Sequence, residues 1–364
     1  MIYPLLPLFL STVLGAGAVA LGVIEGVAEA AASILKIVSG YWTDKVARRK
    51  PFILAGYGLA SVARPLIGLA NVWPLVLAFR FADRIGKGLR TSPRDSLIAD
   101  VVEPARRGEA YGFHRAMDHA GAVVGPLAAA LLMSSFGVPI RTIFLLAAIP
   151  AAVVIAILIF GLKEKPRKVE DEVKVKTQSS PAAFASGFRY YLVAVGIFTL
   201  GNSTDAFLLL RLTDAGVSAV WITLLWAAHH VIKMTSTYYG GRWSDKLGYR
   251  PMIVLGWIVY AAIYFGFGMV GDEVGLVALF LAYGLYFGLT EPAEKALVSR
   301  FAAAHSRGRA FGWYHGVIGG GALPASILFG LLYKSCGAMT AFGLGALLAL
   351  AAAVILTLIK LKIE

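Results

Sequence analysis

Cysteine occurs once in this chain of 364 residues, at Cys336, which excludes an intrachain disulfide and leaves no set of thiolates to hold a metal. Charge is also scarce, 15% of residues against about 25% in soluble globular proteins. No Gly-rich loop ending in Gly-Lys-Ser or Gly-Lys-Thr is present, so nucleotide-driven chemistry is not expected. No Ser, His and Asp stand at a spacing useful for hydrolysis, and the adjacent His229 and His230 point different ways on a helix. Neither an enzyme nor a metal or cofactor is therefore expected. The opening residues, Met1-Ile2-Tyr3-Pro4-Leu5-Leu6-Pro7, carry no basic stretch before the apolar run, and no cleavable leader is expected.

Acidic residues are outnumbered, 21 against 34 basic ones, for a formal net charge of +13. A nucleic-acid partner would need that charge gathered on one exposed face. Here it is spread over alternate polar breaks, so none is expected.

What is present is apolar: 58% hydrophobic residues and a mean hydropathy of +0.74. Runs separated by short polar breaks give twelve spans, at roughly 1–15, 18–42, 51–70, 73–99, 109–135, 139–162, 186–212, 217–241, 250–270, 274–299, 308–334 and 337–361. Most approach the ~20 residues that cross a hydrocarbon layer of about 30 Å. Breaks after even-numbered spans are basic, as in Lys45/Arg48/Arg49/Lys50, Arg106/Arg107 and Lys246/Arg250, whereas odd-numbered breaks such as Ala70-Asn71-Val72-Trp73 are nearly neutral. The basic breaks should be cytoplasmic. The expectation is an all-α, multi-pass protein of the cell (inner) membrane, monomeric in the lipid bilayer, with its C-terminus in the cytoplasm.

The spans repeat. Gly40-Tyr41-Trp42-Thr43-Asp44-Lys45-Val46-Ala47-Arg48-Arg49-Lys50 returns as Gly241-Arg242-Trp243-Ser244-Asp245-Lys246-Leu247-Gly248-Tyr249-Arg250, with 201 residues between the two Asp positions. Arg107-Gly108-Glu109-Ala110-Tyr111-Gly112 returns as Arg307-Gly308-Arg309-Ala310-Phe311-Gly312, and Gly88-Leu89-Arg90-Thr91-Ser92-Pro93 as Gly288-Leu289-Thr290-Glu291-Pro292. Three echoes in one order imply a duplicated half. Residues 1–162 form one six-helix bundle, 163–185 a charged cytoplasmic linker ending in Ser and Pro, and 186–364 the second bundle. The first span is short beside its repeat and reads as a truncated helix.

Twelve spans in two halves, each with Gly-x-x-x-Asp-Lys after its second span, resemble the major facilitator superfamily. The resemblance covers the whole chain, with Trp42 and Ala47 departing from that family's usual residues. It implies a fold of two pseudo-symmetric six-helix bundles and a secondary transporter working by alternating access on a small-molecule substrate. It also implies a conformational latch, in which Asp44 faces the start of the eleventh span near Arg307-Gly308 and Asp245 the start of the fifth near Arg107-Gly108. Gly40, Lys45, Arg48, Gly241 and Lys246 complete the two copies. In the fifth span Gly121-Ala122-Val123-Val124-Gly125-Pro126 is similar to the family's antiporter element; Gly121 and Gly125 share a face that permits close helix approach, and Pro126 removes a backbone donor. Plain small-residue packing is the other reading. Arg80 stands where the family often has a buried arginine.

Ionisable groups inside spans cost about 2.5–3.5 kcal/mol each on insertion scales and usually face the bundle interior or water. Glu25, Glu29 and Lys36 lie on one stripe of the second span. Glu25 and Glu29 are candidate proton carriers, or else partners of Lys36 and the fourth-span arginines. His114 and Asp118, one turn apart, are candidates for a proton relay, set against an Arg115–Asp118 pair that serves packing. In the second half His230 takes the repeat position of Glu29. Arg80, Arg84, Asn202, Asp205 and Lys233 are candidates for the substrate cavity. The reading is proton-coupled efflux, by antiport, of a small organic molecule; import of an anionic solute, motivated by the basic fourth span, and a transport-silent receptor or scaffold are the alternatives.

Overall fold

The computed structural model describes residues 2–16, 18–46, 48–164 and 187–358. Ala47, the expected linker from residue 165 onward and the C-terminal residues 359–364 lie outside the described residues. Every element among the described residues is helical.

The helices follow the apolar runs in order. They are α1 (Ile2–Leu8, continued by a π-turn Phe9–Val13), α2 (Ala18–Asp44), α3 (Lys50–Leu66), α4 (Trp73–Val101), α5 (Arg107–Phe136), α6 (Ile140–Leu146), α7 (Ala148–Ala156), α8 (Gly187–Gly201), α9 (Ala206–Asp214), α10 (Ala219–Leu247), α11 (Tyr249–Met269), α12 (Glu273–Arg300) and α13 (Arg307–Leu358). Among the described residues, seven helical stretches are long and apolar enough by themselves to cross a membrane. Several boundaries have a visible chemical cause. Ser218 and Asp272 cap α10 and α12 by accepting from Trp221 N and Gly275 N. Gly248 (φ +95°) ends α10 and starts α11 in one step, and Gly337 (φ +82°) breaks α13 into two helices; both conformations favour a residue without Cβ.

The chain forms two compact units. Unit one holds residues 1–97, 122–181 and 305–316; unit two holds 98–121, 182–304 and 317–364. They follow the sequence halves except that the first part of α5 belongs with the second half and the first part of α13 with the first.

In unit one the short first segment is a packed element: Leu6, Phe9 and Leu10 are buried against Ile24, Ile67, Ala70, Val76 and Phe144. Arg141 donates to the carbonyls of Gly68 and Ala70 (2.9 and 2.7 Å), satisfying the end of α3. α2 and α4 pack closely, with Ser39 Oγ donating to Gly88 O and Ser92 Oγ to Lys36 O, both at 2.8 Å. A Cβ on Gly88 would stand 2.5 Å from that of Leu35. In unit two α10, α11 and α12 enclose an aromatic core in which Phe198 stacks on Trp257 (4.9 Å) and Tyr260 on Tyr264 (4.1 Å).

Candidate functional site

The two repeated aspartates occupy equivalent places. In unit one Asp44 accepts from the backbone N–H groups of Gly308 and Arg309, each at 2.8 Å, and from Arg309 Nε at 3.3 Å. In unit two Asp245 accepts from Gly108 N and Glu109 N, again at 2.8 Å, and from the Tyr249 hydroxyl. Each carboxylate thus caps the start of a helix whose first N–H groups have no intrahelical acceptor. Burial raises the Asp44 carboxyl above its ordinary value, while the two N–H groups and the charges of Arg49 and Arg309 draw it part of the way back. Glycine is needed here: a Cβ on Gly40 would lie 2.9 Å from the carbonyl carbon of Gly308, and one on Gly241 3.0 Å from Gly112 Cα. Around these contacts Lys45 lies over the ring of Tyr41, Arg107 donates to Ser299 Oγ at 3.3 Å, Arg242 pairs with Glu109 at 3.0 Å, and Arg48 and Lys246 are exposed.

The charged stripe of α2 meets the charged stripe of α4. Glu25 pairs with Arg80 at 2.7 Å and with Arg84 at 3.5 Å. Asp83, buried, accepts from Arg64 at 2.8 Å and from Arg80 at 3.0 Å. Glu29 faces Lys36, Arg84 and Lys87 at 3.4–3.6 Å. Both candidate proton carriers are therefore members of ion pairs, the other reading of the sequence. Further along α4, Asp95 is bound by Arg94 at 3.1 Å and by His315 Nε2 of α13 at 2.8 Å.

Unit two builds its polar centre on a broken helix. α8 stops at Gly201 and α9 begins at Ala206, and tyrosines bind the break: Tyr260 donates to the backbone Gly201 O (3.0 Å) and to the side chain of Asn202 (3.3 Å), Tyr264 pairs with the Ser203 hydroxyl (3.1 Å) and Tyr283 donates to the Asp205 carboxylate (3.1 Å). Asp205 also accepts from Lys233 at 3.3 Å, whose ammonium lies 3.6 Å above the ring of Phe287. Irregular backbone of this kind occurs at membrane depth only where it is buried or lines a cavity.

On α5, Arg115 makes a two-point contact with Glu291 of α12, one arm at 2.7 Å, and a further bond to Asp118 at 3.1 Å. His114 stands 3.8 Å from Asp118, and His119 3.5 Å from Glu291. His230 lies against the rings of His119 (5.5 Å) and Trp226 (5.1 Å). His230, at the repeat position of Glu29, thus meets rings of unit two, and Glu29 meets cations of unit one. A Cβ on Gly121 would meet nothing within 4 Å. Pro126 sits inside α5.

Sequence reasoning missed His315, Tyr260, Tyr264 and Tyr283. Two of those tyrosines lie on α11, a span without charged residues beyond its first turn to draw notice. His315 lies 220 residues from its partner.

The sequence model of the Major Facilitator Superfamily matches residues 1–232 and 193–363, and the chain belongs to that family. An uncharacterized MFS-type transporter of Methanocaldococcus jannaschii is 31% identical over 99% of this chain and 90% of its own. The multidrug resistance protein MdtH of Salmonella paratyphi B is 25% identical over 88% of this chain and 80% of its own. Among solved structures, the proton:xylose symporter XylE matches with a TM-score of 0.76 at 15% identity, covering 92% of this chain and 85% of that one. The human organic anion transporter MFSD10 matches with a TM-score of 0.73 at 14% identity, covering 91% and 83%.

Proposed function

We propose that this chain is a proton-coupled transporter that crosses the membrane twelve times, works by alternating access and moves a small organic molecule outward across the cell's inner membrane. The observation that carries the reading is the mirrored pair of contacts, Asp44 on the start of α13 and Asp245 on the start of α5. Each joins a helix of one sequence half to a helix of the other, so both must break when the cytoplasmic side opens. Coupling would use Glu25 and Glu29 in unit one and Asp118 with His114 and His230 in unit two. Efflux is supported by the Gly121–Pro126 element and by likeness to MdtH.

Import of an anionic solute is the second reading, favoured by the excess of cations facing Glu25 and Glu29. Proteoliposomes with an imposed pH gradient separate the two. Exchange of protons against cargo supports efflux, movement of both in one direction supports import, and cargo movement indifferent to the gradient would sink proton coupling.

A further inference from the structure

The network on α2 and α4 is short of negative charge. Glu25, Glu29 and Asp83 face Arg64, Arg80, Arg84, Lys36 and Lys87. One end is tightly paired, with Arg80 at 2.7 Å from Glu25 and Arg64 at 2.8 Å from Asp83. The middle is not. Glu29 is shared by Lys36 at 3.6 Å, Arg84 at 3.6 Å and Lys87 at 3.4 Å, and the second carboxylate near Arg84, that of Glu25, is 3.5 Å away. Charge-assisted hydrogen bonds settle at about 2.7–2.9 Å, so one carboxylate serves three cations and holds none at that length. Nε of Arg84 is buried and makes no hydrogen bond.

The position of this cluster is as informative as its charge. At ~1.5 Å per residue from Trp73, Arg84 lies ~16 Å and Lys87 ~21 Å along α4, which, on the reading of residues 73–99 as a span, puts both within a hydrocarbon layer of about 30 Å. Yet the side chains of Glu29 and Lys87 are 40% and 35% exposed. Ionised groups at such depth face water rather than lipid. We infer that this wall is a binding site for a small organic oxyanion, whose carboxylate, sulfate or phosphate group sits among Arg84, Lys87 and Lys36, with Glu29 the built-in anion that it displaces. The inference rests on the transporter reading and names the chemical class of its cargo.

The test follows thermal unfolding of the purified full chain at constant ionic strength during titration with benzoate, citrate or inorganic phosphate, with tetraethylammonium and glucose as controls. Saturable stabilisation by at least one oxyanion and by neither control is expected. Binding should weaken about tenfold or more in Arg84→Gln and in Lys87→Gln, and tighten about tenfold in Glu29→Gln, where the internal competitor is gone. If Arg84→Gln does not fold, the half-exposed Lys87→Gln carries the same test. No saturable oxyanion response in wild type or Glu29→Gln overturns the site, as does a response that Lys87→Gln leaves unchanged. Stabilisation by added phosphatidylglycerol without any response to free oxyanions assigns the cations to a lipid headgroup and overturns the cargo. Oxyanion binding without transport would sink the transporter reading and leave the site standing; proton-coupled transport of a cation or sugar without oxyanion binding would do the reverse.

Discussion

Asp44 shows how a single carboxylate can hold a helix start, with one oxygen on each of two backbone N–H groups. Burial raises its carboxyl above the ordinary value, against the two N–H groups and the charges of Arg49 and Arg309, so a form with this contact broken and Asp44 in water would bind the proton less tightly. Lowering the pH through that raised value toward the ordinary carboxylate range therefore favours the closed contact, and raising it withdraws that contribution. Asp44→Asn, which keeps an acceptor, should open the contact less than Asp44→Ala, which leaves two buried N–H groups unsatisfied. The latter loss is about 1–3 kcal/mol, or roughly 5–150-fold in the open population, read by maleimide labelling of cysteines placed beside α13 in a Cys336→Ser background. Equal labelling of the two variants would contradict the acceptor role. Asp83 is a different case, buried between Arg64 and Arg80. Asp83→Ala should cost about 3–5 kcal/mol, seen as a lowered unfolding temperature in detergent; a loss below about 1 kcal/mol would mean that water already screens the pair. Asp44 was legible because its motif occurs twice. His315 on Asp95 was not, because a lone histidine in an apolar helix carries no mark of a partner so far along the chain.

Among the helices, glycines divide into two kinds that look alike in sequence. Gly40, Gly108, Gly241 and Gly308 stand where a neighbouring backbone leaves no room for a Cβ, whereas Gly121 faces open space. Gly40→Ala and Gly241→Ala should loosen the helix starts they touch and raise cysteine labelling there. Gly121→Ala should leave both labelling and unfolding temperature within about 1 kcal/mol of wild type, the scale of helix propensity. A strong loss of stability in Gly121→Ala would support the packing role expected from its spacing. Apolar runs predicted the helices well because lipid demands that backbone groups pair within each segment. They did not predict the break between α8 and α9, since the tyrosines that satisfy Gly201, Asn202, Ser203 and Asp205 come from α11 and α12. Nor did they show that a first helix of so few residues is fastened by Leu6, Phe9 and Leu10 against α2, the turn after α3, α4 and α6.

For the molecule as a whole, the recurrence of three motifs in one order is the observation from which most else follows. The paired aspartate contacts give it physical form. The same recurrence hid an exchange, since 98–121 and 305–316 each pack in the unit of the other half, a tertiary choice that local pattern does not encode. Proton-coupled transport by alternating access, as proposed, is tested by cargo-dependent proton movement. In proteoliposomes carrying an internal pH dye, the cargo picked out by thermal stabilisation should produce a proton flux in wild-type protein that Glu29→Gln abolishes. Cargo transport with no proton flux, or the same flux in Glu29→Gln, would contradict it.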